Sequence, residues 1–120
     1  MIELTLNEAT PSLNKMLRRH WSVDRKLKAK WARLVWVALR SKYLGPMHPF
    51  PRARVTITRT SPRMLDADNA TGGCKPIIDC LRQLSLIVDD SPEHIELIVR
   101  QEKGKAATRI QIEPLTIGGL

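Results

Sequence analysis

The sequence predicts an α+β fold, with a single domain over residues 1–120 in which a mainly antiparallel sheet packs against two helices in the order β-α-β-α-β-β. Three observations lead to this prediction. Four short runs alternate apolar with polar residues, as half-buried strands do. Two other segments repeat their apolar residues at helical spacing. The 120 residues suffice for one core and are too few for two ordinary domains.

The first two elements are a short strand and a long amphipathic helix. Residues 2–6, IELTL, alternate and predict the strand. Asp24 is placed to cap a helix that runs to about Tyr43. Apolar residues at i, i+4, i+7, i+8 and i+11 predict its buried stripe, which consists of Leu27, Trp31, Leu34, Val35 and Ala38. The opposite face is basic and could lie along a phosphate backbone; it carries Arg25, Lys26, Lys28, Lys30, Arg33 and Arg40.

The next two elements are a strand and a second helix. One glycine and three prolines in residues 45–51 end the first helix. The run RARVTITR, residues 52–59, then predicts a half-buried strand with a basic outer face. A second helix is expected across roughly residues 76–84, with Pro76 in its first turn. Whether it begins earlier, near Asn69, stays open because glycines weaken a continuous helix.

Three apolar runs complete the chain. The run LIV, residues 86–88, is expected to re-enter the sheet. Two alternating runs, EHIELIVR at 93–100 and ATRIQIEP at 107–114, follow it and are separated by a turn containing EKGK. These two runs predict a C-terminal hairpin.

The charge of the chain indicates an anionic partner. The formal net charge is +8, and residues 9–65 contain fourteen Lys or Arg but a single acid. Such a surface suits phosphates, because each neutralised phosphate releases condensed counterions. A basic face that only keeps the protein soluble is the alternative.

Compartment and redox state are also constrained. The N-terminus lacks a charged start followed by an apolar stretch, so a cytoplasmic protein is expected. No run of eighteen apolar residues is present, which argues against a membrane-spanning segment. Cys74 and Cys80 fit neither a zinc spacing nor a disulfide framework, so we expect reduced, partly buried thiols.

Carboxylates are concentrated in one segment of this basic chain. Residues 63–95, RMLDADNATGGCKPIIDCLRQLSLIVDDSPEHI, hold six of the twelve acidic residues. Asp66 and Asp68 alternate, so both carboxylates can point to one side, and a second pair, Asp89 and Asp90, follows the predicted helix. Converged carboxylates repel unless a cation lies between them, and hard oxygen ligands suit Mg²⁺ or Mn²⁺. The alternative is that each pair caps a turn or lies in a solvated loop.

These motifs resemble the RusA family of Holliday junction resolvases, small endodeoxyribonucleases common in bacteria and their phages. The resemblance lies in DADN, then CKPIID, then a short helix and IVDDSPEH, and it extends to the early PSLNK loop, the predicted C-terminal hairpin and the chain length. It implies a homodimer that recognises branched DNA by shape and cuts two opposed strands of a four-way junction with Mg²⁺. It also implies that Asp66, Asp68 and Asp90 bind the metal and that Lys75 is the catalytic lysine.

Other residues are assigned supporting parts. Asp89 is expected to assist its neighbour Asp90. Asp79 lies four residues after Lys75, so on a helix the two can pair, although a fourth metal ligand is the alternative. Asn69 is expected to cap the following turn or to contact a ligand water. Seven basic residues are expected to contact the DNA backbone, namely Arg18, Arg19, Lys26, Lys30, Arg52, Arg54 and Arg63.

Two other functions are compatible with the same residues. One is a non-catalytic protein that binds branched DNA without cleaving it. The other is a metal-dependent nuclease for different branched DNA, which would share the same site.

Overall fold

The computed structural model of the chain describes residues 1–13 and 21–115, with the backbone alone for residues 21–24. Its elements in chain order are β1 Ile2–Leu6, α1 Trp21–Lys42, β2 Ala53–Ser61, α2 Ala67–Gly72, α3 Lys75–Gln83, β3 Ile95–Lys103 and β4 Ala107–Pro114. The α+β class and the predicted order of elements are confirmed. The second helix, predicted across roughly residues 76–84, is α3, and the separate short helix α2 precedes it.

The four strands form one mixed sheet in the order β1-β4-β2-β3. Strand β4 runs antiparallel to both β1 and β2, whereas β3 runs parallel to β2. The mainly antiparallel sheet is therefore confirmed, but the C-terminal hairpin is wrong because β2 lies between β3 and β4. The connection from β3 to β4 passes the end of β2, where the Gly104 N–H donates to the Ser61 carbonyl at 3.2 Å.

Strand β2 is more buried than its sequence predicted. Ala53, Val55 and Ile57 face the core, as expected. On the other face, Thr56 and Thr58 are only 6% and 2% exposed. The half-buried strand with a basic outer face is thus wrong for the middle of β2, because neighbours on both sides cover a central strand.

Helix α1 packs on the sheet through an apolar stripe. Trp31, Val35 and Leu39 are fully buried, and the other predicted members, Leu27, Leu34 and Ala38, are partly buried against the core. Leu39 extends the predicted stripe by one residue beyond Ala38. The expected capping role of Asp24 is wrong, because the helix already includes Trp21 and Asp24 lies inside it.

The glycines before α3 allow the N-terminal segment to approach. A Cβ atom on Gly73 would lie 1.8 Å from the Pro11 carbonyl oxygen, and one on Gly72 would lie 2.8 Å from the Leu13 side chain. Gly73 has φ −67°, which any residue adopts, so close packing is the reason for a glycine there. The segment before α1 is in this way held against the start of α3.

The remaining predictions concern residues 86–88, the cysteines and the membrane. The LIV run does not form a strand of the sheet; Ile87 makes one isolated parallel bridge with Phe50. Cys74 and Cys80 are buried and unpaired, as expected, and burial raises the pKa of the Cys74 thiol to about 11. No helix in the described ranges has the length and apolar character needed to cross a membrane.

Candidate functional site

Asp66 is the N-cap of helix α2. Its backbone is extended, with φ −67° and ψ 161°, and its Oδ1 accepts a hydrogen bond of 2.9 Å from the Asn69 N–H. The Asn69 side-chain amide also donates to Asp66 Oδ2 at 2.8 Å. Asp66 is therefore the cap and Asn69 the capped residue, which corrects the expectation that Asn69 caps the following turn.

Asp68 lies in the first turn of α2, and its side chain is exposed. A carboxylate in this position is stabilised by the positive end of the helix. The extended arrangement expected for Asp66 and Asp68 is replaced by a cap followed by a helical turn. Their carboxylates consequently differ, since Asp66 is hydrogen-bonded within the chain and Asp68 faces solvent.

Lys75 is the centre of a second cluster of charges. It is the first residue of α3, and its Nζ lies 3.0 Å from Asp79 Oδ1 and 3.0 Å from Asp90 Oδ2. The pair with Asp79 confirms the predicted contact between residues four apart. The contact with Asp90 spans fifteen residues and joins the segment after α3 to the start of that helix.

The charges in this cluster reinforce one another. Hydrogen bonds from Lys75, first to Asp79 and then to Asp90, raise the pKa of the lysine above its ordinary value. The hydrogen bond from Lys75, followed by the one involving Asp89, lowers the pKa of Asp90. Both side chains are therefore charged near neutral pH, and Lys75 presents a positive charge there.

Asp89 supports the position of Asp90 through the backbone. Its Oδ1 accepts a hydrogen bond of 2.8 Å from the Asp90 N–H. The same oxygen lies 3.7 Å from Arg82 Nη1, near the end of α3. Arg82 was not singled out in the sequence, because its pairing depends on how the chain turns back after α3.

The Lys75 cluster stands at the edge of a cleft of about 430 Å³. Thr71 and Gly72, at the end of α2, line it together with Lys75, Asp90 and Pro92. Asp66 and Asp68 belong to the start of α2, whose few residues rise about 9 Å. Neither of them lines this cleft.

The carboxylates have the oxygen donors that Mg²⁺ prefers, but they are not gathered into a complete ligand set. Within residues 1–13 and 21–115, no three His, Cys, Asp or Glu side chains are arranged to hold a metal ion. All three predicted ligands are exposed, but Asp66 is hydrogen-bonded to Asn69 and Asp90 to Lys75. The donor set fits magnesium in its chemistry, and further ligands would have to come from outside these side chains.

The segment before Asp66 is fixed by a residue that the sequence analysis missed. The Gln101 side-chain amide on β3 accepts from the Leu65 N–H at 2.8 Å and donates to the Leu65 carbonyl at 2.8 Å. These bonds join residues 36 positions apart, so no local pattern could have shown them. Gln101 thereby sets where the chain enters the cap at Asp66.

The predicted DNA contacts fall into several environments. Arg18 and Arg19 lie outside the described residues. Lys26 and Arg63 are exposed, Arg52 is half-buried, and Lys30 forms an ion pair with Glu8. Arg54 lies on the face of the sheet away from the helices, where its guanidinium is 3.4 Å from Glu96 and 3.9 Å from Glu113. Among the five that the structure describes, Lys26, Lys30 and Arg63 border a common groove.

Comparison of the chain with protein-family models finds no match, and a search of the curated proteins also finds no significant match.

Proposed function

We propose that this chain is a Mg²⁺-dependent, structure-selective endonuclease that cleaves four-way DNA junctions symmetrically during recombination and repair, as its resemblance to the RusA family implies. It would act as a cytoplasmic homodimer. The observation that carries the proposal is the contact of Lys75 with both Asp79 and Asp90 at the edge of a cleft. In a chain of net charge +8, this acidic cluster lies where a bound polyanion could meet it.

The chain's own groups supply a fixed positive charge. The two carboxylates hold the Lys75 ammonium at the start of α3, and its raised pKa keeps it protonated. A preorganised cation stabilises the negative charge that develops on a phosphate oxygen when a phosphodiester is attacked. Lys75 is therefore the proposed catalytic lysine, and Asp79 orients it.

Asp66, Asp68 and Asp90 are the proposed donors to Mg²⁺, and Mn²⁺ should substitute. Magnesium is usually held by one or two carboxylates together with substrate phosphate oxygens and water. An incomplete set of protein ligands is therefore compatible with a site that DNA completes. When bound, the ion supplies an activated water and offsets charge on the leaving oxygen. A two-fold dimer would provide two such sites for two cuts.

One alternative is favoured by a specific observation. Asp66 and Asp90 already have protein partners, so both can serve the structure alone. That role would suit a non-catalytic protein that binds branched DNA. Asp68 distinguishes the two functions, because it is exposed and caps nothing. A nuclease for other branched DNA shares the site and would be identified by substrate competition.

The experiment that tests the proposal compares a labelled synthetic four-way junction with linear duplex of the same sequence. Each is incubated with wild-type protein or Asp68→Asn, in Mg²⁺ or in EDTA. Paired symmetric nicks are expected in the junction alone, and they should disappear with EDTA and in the variant while binding persists. Tight junction binding without cleavage under any divalent ion would show a binding protein instead.

A further inference from the structure

A second and larger depression lies on the N-terminal side of the site. This groove, of about 920 Å³, runs between residues 8–12, helix α1 and residues 59–65. Its charged lining is mainly cationic and consists of Lys26, Lys30, Arg59 and Arg63, with Glu8 as the acid. Glu8 pairs with Lys30, so the groove keeps a positive surplus.

Arg59 is the most informative residue in the groove. It is only 9% exposed, yet its guanidinium donates to two carbonyl oxygens, at 2.8 Å to Thr10 and 3.0 Å to Arg63. In the part of the chain that the structure describes, it forms no ion pair with an acid. A buried charge normally has a counter-ion, so this one is suited to an anion from outside the chain.

Two further cations line the same groove. The side chains of Lys26, on α1, and Arg63, after β2, are exposed, and neither has an ion pair among the described residues. The groove therefore offers donors and positive charge, which is what a phosphate group binds.

The groove and the first carboxylate pair are neighbours along the chain. Leu65 lines the groove, Asp66 is the next residue, and the Gln101 side chain fixes the Leu65 backbone. A strand held in this groove would therefore lie next to the residue that caps α2. Binding and chemistry would then use adjacent parts of one surface.

We infer that this groove binds the phosphate backbone of the DNA strand that runs to Asp66 and Asp68. The inference rests on the proposed function, and it specifies which surface holds the strand. Lys26 and Arg63 supply the exposed charges, and Arg59 supplies the buried one. Arg54, which is already paired with acids on the other face of the sheet, has no part in it.

The test compares Lys26→Gln and Arg63→Gln with Arg100→Gln. Arg100 is an exposed arginine of β3 that does not line the groove, so its variant carries the same change in charge. Binding of a fluorescent four-way junction is measured in EDTA from about 0.05 to 0.3 M salt, a range in which phosphate contacts dominate the salt dependence. Each groove variant should bind about three- to tenfold more weakly at 0.1 M salt and flatten the plot of log K against log salt by about 0.7 to 0.9. Arg100→Gln should match the wild type.

The outcomes separate the inference from the proposed function. If the wild type cleaves junctions but both groove variants retain the affinity and salt slope of Arg100→Gln, the groove is not the binding surface and the nuclease proposal stands. If the wild type neither binds nor cleaves a junction, both fall. Weaker binding with a flatter slope in both groove variants, beside an unchanged Arg100→Gln, supports the inference.

Discussion

Gln101 holds Leu65 by both ends of its side-chain amide, with one hydrogen bond accepted and one donated, each of 2.8 Å. The two residues lie 36 positions apart, on β3 and immediately before the cap of α2. Because Asp66 follows Leu65, this contact determines where the first carboxylate pair enters the site. Gln101 is therefore a positioning residue for the proposed reaction.

Gln101→Glu should slow cleavage more than it weakens DNA binding. A carboxylate can accept from the Leu65 N–H but cannot donate to the carbonyl, so one of the two bonds is lost. We expect a loss of about 1–2 kcal/mol in the free energy of unfolding. Single-turnover cleavage and junction affinity are measured together. Gln83→Glu, an exposed residue at the end of α3, is the control with the same change in charge. A cleavage rate in Gln101→Glu equal to that of the control would remove the positioning role.

Substitutions of Asp66 and Asp68 should show which effects concern the stability of the protein and which concern cleavage. Asn caps a helix about as well as Asp, so Asp66→Asn should keep the free energy of unfolding within about 0.5 kcal/mol, whereas Asp66→Ala should lose about 1 kcal/mol. Asp68→Asn should change stability little, because the side chain is exposed. All three variants should lose cleavage. Thermal unfolding and junction cleavage are the measurements, and normal cleavage by Asp66→Asn would restrict that residue to capping.

The ammonium of Lys75 should persist across the working pH range. Its pKa is raised by Asp79 and then Asp90, so the charged form is retained up to a higher pH than in an ordinary lysine. Cleavage should therefore show no alkaline loss between about pH 7 and 9.5 from this group. Lys75→Arg keeps the positive charge and serves as the comparison. An alkaline fall in the wild type that is absent from Lys75→Arg would show that the lysine titrates in this range.

Gly73→Ala should destabilise the protein strongly. The added Cβ would lie 1.8 Å from the Pro11 carbonyl oxygen, a backbone atom that cannot turn aside. We expect a loss of about 3 kcal/mol or more in the free energy of unfolding, measured by chemical denaturation. Gly72→Ala should cost less, because its nearest contact is the movable Leu13 side chain. Equal stability of the two variants would contradict the packing of Pro11 on Gly73.

Much of the fold and part of the site followed from local patterns. Alternation predicted β1, β3 and β4, and helical spacing predicted the buried Trp31 and Val35. The contact between Lys75 and Asp79 followed from their separation of four residues. These features share one physical cause, because within a single element the backbone geometry decides which side chains are neighbours.

Tertiary structure alone decided the rest. Sequence periodicity shows that a strand buries one face. It does not show which strands are neighbours, because nearly every residue offers the same backbone N–H and carbonyl groups for pairing. The sequence therefore did not show that β2 lies between β3 and β4, or that Thr56 and Thr58 on β2 are buried. The long-range contacts of the site depend on the same placement. The amino-acid sequence by itself determined the elements and their charges, while the packing of distant segments brought Asp90 to Lys75, Gln101 to Leu65 and Pro11 to Gly73.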